Sequence, residues 1–426
     1  MLEKHKDNSA TLHFHSKITS DNRDRGGIYP IIAHESHQKT LSNLVNEALR
    51  SLPVQDPADA HSGNGLFIKE EGTSANVVLR KKPDFVTATR GPGMRASLIT
   101  GVDTAKGLAV GWQVPFLGVN HMQAHALTSR LVSALDHGGG KGVDGNPAFP
   151  FLTLLVSGGH TMLVHSKGLC DHEILADTVD LALGDMLDKC GRDILPAEIL
   201  ASAENVMYAR LLESFAFPEA DPDYTHVKRD NVGFREGYKW VVNTPYNSPG
   251  PGGKKEQAHK FSFAGMGSYL RRTVEENPSM DEKELRALAR EGMRVAFQHL
   301  ASRILYALDR PDVKGVKSLV VSGGVACNKY LKHVLRASLD DKGYETMALV
   351  FPPPKYCTDN AAMIAWTGIE MWEAGWRTDL GAMAVRKWTI DPKAEDGGIL
   401  GLDGWLNTTA EENPVSSPVE GKFDML

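Results

Sequence analysis

The chain has 426 residues, 42% hydrophobic and 23% charged, a composition typical of a globular protein long enough for two domains. Its net charge of −6 and pI near 6.2 exclude a strongly basic nucleic-acid-binding protein, so such a partner would need local patches such as LRKK (79–82) or VKR (227–229). Four scattered cysteines without a C-x-x-C pair argue against a disulfide framework, and no run reaches the ~20 apolar residues that span a bilayer.

The first half of the chain alternates short apolar strands with helical segments. The pattern predicts a strand over 84–93 and a helix over 95–112, then a strand over 115–120 and a helix over 121–135. This alternation predicts a mostly parallel sheet covered on both faces. The glycine- and proline-rich segment 137–150 is typical of a linker between lobes.

The second half contains two strands that each lead into Ser-Gly-Gly. Residues 151–166 predict two strands joined through that turn, and 317–331 repeats the strand and the turn. Between them, Ser279 and Glu282 fit a capping box that opens a long helix with an apolar stripe. Residues 216–260 are interpreted as a polar insertion, and the tail after residue 390 as loop.

The sequence HMQAH places His121 and His125 on one face of the predicted helix, where both imidazoles could bind one metal ion. A zinc peptidase would carry H-E-x-x-H, but Met122 stands where the glutamate is needed. The alternative is a structural pair at a helix start, satisfied by backbone groups. A third ligand is required, and Asp359 is a candidate, although it could instead be the N-cap of a helix.

The two Ser-Gly-Gly turns, in LLVSGGH and VVSGGVACN, could let phosphate or ribose approach the backbone, or could be plain turns. An acidic segment follows the first of them. It carries Asp177, Asp180, Asp185 and Asp188 at helical spacing, which indicates either a solvated face or one carboxylate that points into a cleft.

These pieces together resemble the TsaD family of tRNA threonylcarbamoyladenosine-forming proteins, formerly called O-sialoglycoprotein endopeptidases. The resemblance runs from about residue 25 to residue 368 and rests on six stretches in the family's order: TRGPGMRASLITG, GVNHMQAHAL, FLTLLVSGGHTMLV, KFSFAGMGS, LVVSGGVACNKYL and FPPPKYCTDNAAMIA. NHMQAHAL is more similar to the mitochondrial and bacterial branches than to the archaeal and cytosolic one.

The resemblance implies an α/β, actin/Hsp70-like (ASKHA) fold with two α/β lobes around a nucleotide cleft. It implies an N-terminal lobe over 1–145 with the metal motif, a C-terminal lobe over 146–390 with the substrate loops, and a tail over 391–426. The family's opening strand and ETSCD loop have no counterpart here, so the fold is expected without its N-terminal strand. The family's Pro-Gly-Gly is replaced around Pro196 by LPAEIL.

The resemblance also implies the activity, an acyl transfer. A threonylcarbamoyl group would pass from threonylcarbamoyl-AMP, made by a separate synthase, to the adenosine beside the anticodon in tRNAs that read codons beginning with A. A homodimer in the mitochondrion is expected, with the cytoplasm as the alternative location and no membrane partner. A metallopeptidase and a truncated non-catalytic relative are the alternative functions.

The site residues are carried over from the family by position. His121, His125 and Asp359 match the ligands of one divalent metal ion, with zinc, iron and magnesium as candidates. No catalytic side chain is expected beyond them. The substrate threonylcarbamoyl-AMP is a mixed anhydride and is already activated, and backbone N–H donors can stabilise the charge on its acyl oxygen and phosphate. The substrate-binding positions are Leu155, Val156, Ser157, Gly158, Gly159, Asp188 and Asn328.

Overall fold

The structure is a computed structural model that describes residues 1–22, 29–56, 63–70, 77–136, 147–203, 207–219, 224, 233, 236–246 and 257–408. In these ranges the chain forms two sheets, two separate hairpins and the helices packed around them. No helix in the described ranges is long and apolar enough to cross a membrane.

A six-stranded sheet forms the larger part of the molecule, in the order β10-β9-β8-β7-β11-β12. Its strands are β7 (Phe151–Val156), β8 (Thr161–Ser166), β9 (His172–Thr178), β10 (Lys260–Phe261), β11 (Ser318–Ser322) and β12 (Ala348–Val350). β7, β8 and β9 form an antiparallel meander, whereas β11 pairs in parallel with both β7 and β12.

A four-stranded sheet of order β14-β13-β6-β5 forms the second layer. It contains β5 (Val86–Gly91), β6 (Phe116–Asn120), β13 (Trp376–Thr378) and β14 (Trp405–Asn407). Only β5 and β6 pair in parallel, and β13 is antiparallel to both of its neighbours. The strands predicted over 84–93 and 115–120 are parallel neighbours as expected, and three of the five pairings in the six-stranded sheet are parallel. The four-stranded sheet is not mostly parallel, because the returning C-terminal strands add two antiparallel pairs.

Within the described residues each of the two hairpins pairs only within itself, apart from one isolated bridge between Val54 and Arg80 of the second hairpin. They are β1 (Leu2–Lys4) with β2 (Ala10–Leu12), and β3 (Gly65–Lys69) with β4 (Val77–Lys81). The chain thus opens with a short hairpin that stands outside the four-stranded sheet.

The helices are α1 (Pro30–Arg50), α2 (Arg95–Trp112), α3 (His121–Asp136), α4 (Leu183–Ile194), α5 (Ala197–Ala201), α6 (Tyr208–Ala216), α7 (Ala264–Glu276), α8 (Glu282–Leu308), α9 (Lys329–Asp340), α10 (Pro354–Cys357) and α11 (Ala361–Glu373). The helix α8 lies in the core of the larger part of the molecule, with Leu288, Phe297 and Leu300 fully buried. Its N-cap is Asp281, whose side chain accepts from the Glu284 N–H, so the predicted capping box at Ser279 is wrong. Asp281 is the better cap because its carboxylate lies directly before the first helical residue.

The chain returns to the four-stranded sheet before it ends. The helix α11 packs on α3, β5 and β6, and β13 extends the same sheet, although α11 and β13 fall within the predicted lobe 146–390. β14 lies in the predicted tail, beyond residue 390. Strands from both halves of the chain therefore share the four-stranded sheet.

The predicted polar insertion 216–260 lies largely outside the described residues. Its described part 236–246 contributes to the core, because Trp240 is 2% exposed and donates its indole N–H to Glu284 (3.0 Å). Most of the predicted linker 137–150 also lies outside the described residues. A smaller hydrophobic cluster joins the sheets, since Leu117 and Val119 of β6 pack with Leu155 of β7.

Candidate metal and substrate site

The two histidines of HMQAH lie in the first turns of α3, directly after β6. The buried side chain of Asn120 accepts from the backbone N–H groups of Met122 (2.9 Å) and Gln123 (3.2 Å) and so caps the helix. With the helix start fixed, the i,i+4 spacing brings the His121 and His125 rings to 4.7 Å between centroids. Neither ring is held by backbone groups within the described residues; both face a carboxylate.

That carboxylate is Asp359, which comes from the loop before α11. Its Oδ1 lies 3.3 Å from His121 Nε2 and 3.1 Å from His125 Nε2. The cap of α11 is the next residue, Asn360, whose side chain accepts from the Met363 N–H at 3.0 Å. The alternative in which Asp359 caps this helix is therefore wrong, and its carboxylate is available to the histidines.

The three side chains suit a divalent metal ion. Their ligand atoms all lie within 4.8 Å of one another. His125 is 4% exposed, and its Nδ1 lies 3.4 Å from the Ser322 hydroxyl, which orients Nε2 towards the cluster. Two imidazoles and one carboxylate form a donor set that zinc and iron accept, and three protein ligands leave coordination positions open for a substrate.

The protonation states also fit a cation site. Burial lowers the pKa of His125, which favours the neutral imidazole that binds metals. Desolvation acts to raise the pKa of Asp359, but the hydrogen bonds from His121 and His125 outweigh it and hold this pKa well below its usual range. Asp359 is therefore a carboxylate, and its negative charge faces both imidazoles.

The predicted substrate loop follows β7 and turns tightly back into β8. The Ser157 hydroxyl accepts from the N–H groups of Gly159 (3.2 Å) and His160 (3.0 Å). These two backbone donors of the turn are therefore already hydrogen-bonded within it. Within the described residues, the backbone N–H of Gly158 donates no hydrogen bond. A methyl group on Gly158 or Gly159 would meet open space, so this side of the turn is accessible to a ligand.

The two Ser-Gly-Gly turns lie next to each other. β7 and β11 are parallel neighbours, with Leu155 opposite Ser322. Gly323 has a φ of +104°, and a Cβ there would stand 2.3 Å from the Val156 carbonyl oxygen, so only glycine fits between the strand ends. The start of α4 closes the other side, where Gly184 donates its N–H to the Ser157 carbonyl (3.1 Å).

Two residues of this site were missed in the sequence. His160 follows Gly159, and its pKa is lowered by burial and by the nearby His121 and His125, which places it beside the metal cluster. Ser322 touches His125 as described above. The sequence signal for His160 was its position directly after the first Ser-Gly-Gly turn. Ser322 lies in the second Ser-Gly-Gly, but nothing local pairs it with a histidine almost two hundred residues earlier.

Asp188 and Asn328 lie on elements that border the same turns, yet both serve helix starts. The Asp188 carboxylate accepts from the Ala209 N–H at 2.7 Å at the start of α6. Burial raises the pKa of Asp188 to about 6, against the lowering effect of that hydrogen bond. Asn328 is the N-cap of α9 and accepts from the Leu331 N–H at 2.8 Å. In the described ranges no hydrogen bond joins either residue to the cluster of His121, His125 and Asp359.

A second group of possible ligands, His165, Glu173 and Asp312, also lies within 4.8 Å. Its charge disfavours a cation. Glu173 forms ion pairs with Lys167 (2.6 Å), Arg310 (2.9 Å) and Lys393 (3.4 Å). Three positive groups around one carboxylate would repel a divalent ion.

Fold and site together define an α/β enzyme in which a histidine–aspartate cluster after one sheet faces two glycine turns of the other. A family model described as tRNA N6-adenosine threonylcarbamoyltransferase, TsaD, matches residues 58–366, a range that contains every predicted site residue. The chain belongs to the TsaD family, and it is a transferase.

Individual relatives agree with the family match. The chain is 37% identical over 390 residues to the mitochondrial tRNA N6-adenosine threonylcarbamoyltransferase of Schizosaccharomyces pombe, covering 89% of this chain and 78% of that protein. It is 31% identical to the enzyme of the same name from Agrobacterium fabrum, over 87% of this chain and 84% of the relative. The Brucella ovis enzyme is 33% identical with the same coverage of both chains.

Proposed function

We propose that this protein transfers the threonylcarbamoyl group of threonylcarbamoyl-AMP to the N6 amine of the adenosine beside the anticodon, in tRNAs that read codons beginning with A. The observation that carries the proposal is the meeting of His121, His125 and Asp359 with both Ser-Gly-Gly turns, in a chain 37% identical to a transferase named for this reaction. The donor would come from a separate synthase, as the resemblance to the family implies.

The reaction needs positioning more than a strong nucleophile. The N6 amine attacks the acyl carbon, the new N–C bond forms, and the C–O bond to phosphate breaks. AMP leaves with the electron pair of the broken bond, and the proton released by the amine passes to solvent water. In this scheme the Gly158 N–H would donate to the developing charge on the acyl oxygen or phosphate, and the open side of the turn would admit the acyl-adenylate.

Each site residue has a place in this scheme. His121, His125 and Asp359 would hold a divalent ion, which supplies Lewis-acid polarisation of the acyl oxygen and a fixed point for phosphate. Ser322 orients the His125 ring. Leu155 and Val156 hold the turn at the end of a fully buried strand, while Ser157 shapes it. Asp188 and Asn328 are proposed to contact the nucleotide with those atoms that the helix caps leave free.

The wider setting is part of the same proposal. We propose an ASKHA-like arrangement in which the two sheets form lobes on either side of the nucleotide, because ligands from β6–α3 meet turns from β7 and β11. A homodimer in the mitochondrion is proposed from the resemblance to the mitochondrial relative, with the cytoplasm as the alternative. Sedimentation of the purified chain and imaging of a tagged chain would test these two points.

The test is reconstitution with synthetic threonylcarbamoyl-AMP, unmodified tRNA and a divalent metal ion, followed by mass spectrometry of the nucleosides. Wild type is expected to form threonylcarbamoyladenosine, and His125→Ala to lose it. Lys314→Ala is the control. Lys314 is exposed and lies near β11, and this variant is expected to keep the transfer activity. Cleavage of a glycoprotein, abolished by His125→Ala, would support the metallopeptidase instead. Absence of both reactions in the wild type would support the non-catalytic relative.

A further inference from the structure

The hairpin β3–β4 presents one face to solvent that combines an aromatic ring with positive charge. The register places Phe67 opposite Leu79, Lys69 opposite Val77, and Gly65 opposite Lys81. Directly opposed residues of an antiparallel pair share a face, and so do residues two apart along a strand. Phe67 therefore lies between Lys69 and Lys81 on the same surface.

Exposure confirms which face is free. Phe67 is 74% exposed, and Lys69, Val77 and Lys81 are also exposed. The opposite face is half-buried and carries Arg80, which donates to the Leu52 carbonyl and pairs with Glu70 at 2.7 Å. The hairpin is thus anchored through one face, and β3 contacts α1. Its other face leaves a large aromatic ring in water, which costs free energy in the isolated chain.

The charges of this face are uncompensated within the described chain. Lys69 and Lys81 form no ion pair there, whereas the nearby Glu70 is engaged by Arg80 on the other face. The whole chain carries a net charge of −6, so the positive charge of this face is opposite in sign to the net charge of the protein. An aromatic side chain on a strand with flanking lysines is the arrangement that stacks unpaired bases and contacts their phosphates.

We propose that this face of β3–β4 binds the tRNA substrate, with Phe67 stacking on an unpaired base and Lys69 and Lys81 contacting phosphates. The proposal rests on the proposed function for its partner, and charge complementarity selects a polyanion with exposed bases. The hairpin would then act in tRNA binding and not in the transfer step, because none of its residues belongs to the histidine–aspartate cluster.

The test is direct binding of unmodified tRNA to the full chain at several salt concentrations, without the acyl donor. Phe67→Ala is expected to weaken binding by about 5- to 100-fold, as loss of one base stack does, while Phe67→Trp retains it. Lys69→Ala with Lys81→Ala is expected to lower the slope of log affinity against log salt by about 1.4, as loss of two phosphate contacts from a single strand does. In transfer assays these variants are expected to raise KM for tRNA with little change in kcat.

Matched controls use equally exposed residues elsewhere. Met383→Ala removes an apolar side chain that is 69% exposed, and Lys314→Ala with Lys342→Ala removes two exposed lysines. Both controls are expected to bind tRNA as the wild type does. Circular dichroism checks that every variant is folded.

The outcomes separate this proposal from the proposed function. If wild type transfers and the hairpin variants bind tRNA with unchanged affinity and salt slope, the surface is wrong and the function stands. If binding depends on the hairpin but no transfer occurs, the function is wrong and the surface stands. If the variants change the oligomeric state and leave tRNA binding unchanged, the face joins copies of this chain, and the proposal is overturned.

Discussion

Replacement of Asp188 by asparagine is expected to make the protein more stable at neutral pH while weakening nucleotide binding. The carboxylate is half-buried, and it accepts from the Ala209 N–H at 2.7 Å and from the backbone N–H of Tyr208. An asparagine side-chain oxygen can accept the same hydrogen bond at the start of α6 without a buried negative charge. The native aspartate therefore lowers the free energy of unfolding at neutral pH but places a charged group beside the substrate turn.

The size of the effect follows from the pKa. Burial raises the pKa of Asp188 from 3.8 to about 6. Because the folded-state pKa is raised, the stability contribution of this group is fully present below pH 3.8 and is lost as the pH rises through about 6. The shift corresponds to about 3 kcal/mol against the charged form at pH 7, and about half of that at pH 5. Relaxation around the charge reduces the observable gain of Asp188→Asn to about 1–3 kcal/mol at pH 7.

Urea unfolding at pH 7.5 and pH 5 measures the effect, with the midpoint and slope compared between wild type and Asp188→Asn. Asp185→Asn is the matched control. It removes a carboxylate from the same helix, but one that is 38% exposed and paired with Lys189, so its effect stays below about 1 kcal/mol. The reasoning is refuted if Asp188→Asn is less stable than the wild type at pH 7.5, or if its advantage grows as the pH falls.

Three further outcomes concern the metal cluster, the glycines and the cysteines. His125→Ala is expected to lose the bound divalent ion after dialysis, as read by elemental mass spectrometry, while the wild type keeps it. Gly323→Ala is expected to cost about 2–4 kcal/mol of unfolding free energy, since its Cβ would meet a carbonyl oxygen at positive φ, whereas Gly158→Ala changes stability by less than about 1 kcal/mol in urea melts. Cys327 is expected to be alkylated by iodoacetamide faster than the other cysteines, because it is exposed and the neighbouring Cys357 thiol lowers the pKa of Cys327. In peptide mapping, Cys357→Ala is expected to slow the alkylation of Cys327.

Local signals were sufficient for several elements of the fold. The helix predicted over 95–112 forms over those residues, because glycine and proline precede it and Gln113 ends it in the left-handed conformation. The strands on either side of Ser157-Gly158-Gly159 also form as the alternation of apolar residues predicts. In these segments the apolar pattern, the breakers and the buried face all favour one structure.

Contacts between residues far apart in the sequence could not be predicted from local sequence patterns. Asp359 joins His125 from a position 234 residues away, and only the resemblance to a family selected it over the other carboxylates. Asp359 and Asn360 are both good helix caps, so residue type alone could not tell which one caps α11. The return of β13 and β14 to the four-stranded sheet could not be predicted either, because each strand has only three residues and the sheet is reached through one antiparallel pairing of β13 with the distant β6.

The choice of capping residue determines the charge of the site. Asparagine caps both α3 and α11, so the residues next to His121 and Asp359 hold the helix starts with neutral amides. An aspartate would cap either helix equally well but would add a negative charge beside the cluster. With neutral caps and neutral imidazoles, one carboxylate faces a divalent ion, and the loaded cluster has a net charge of +1. That charge suits the phosphate of an acyl-adenylate, whereas an acidic cap would cancel it.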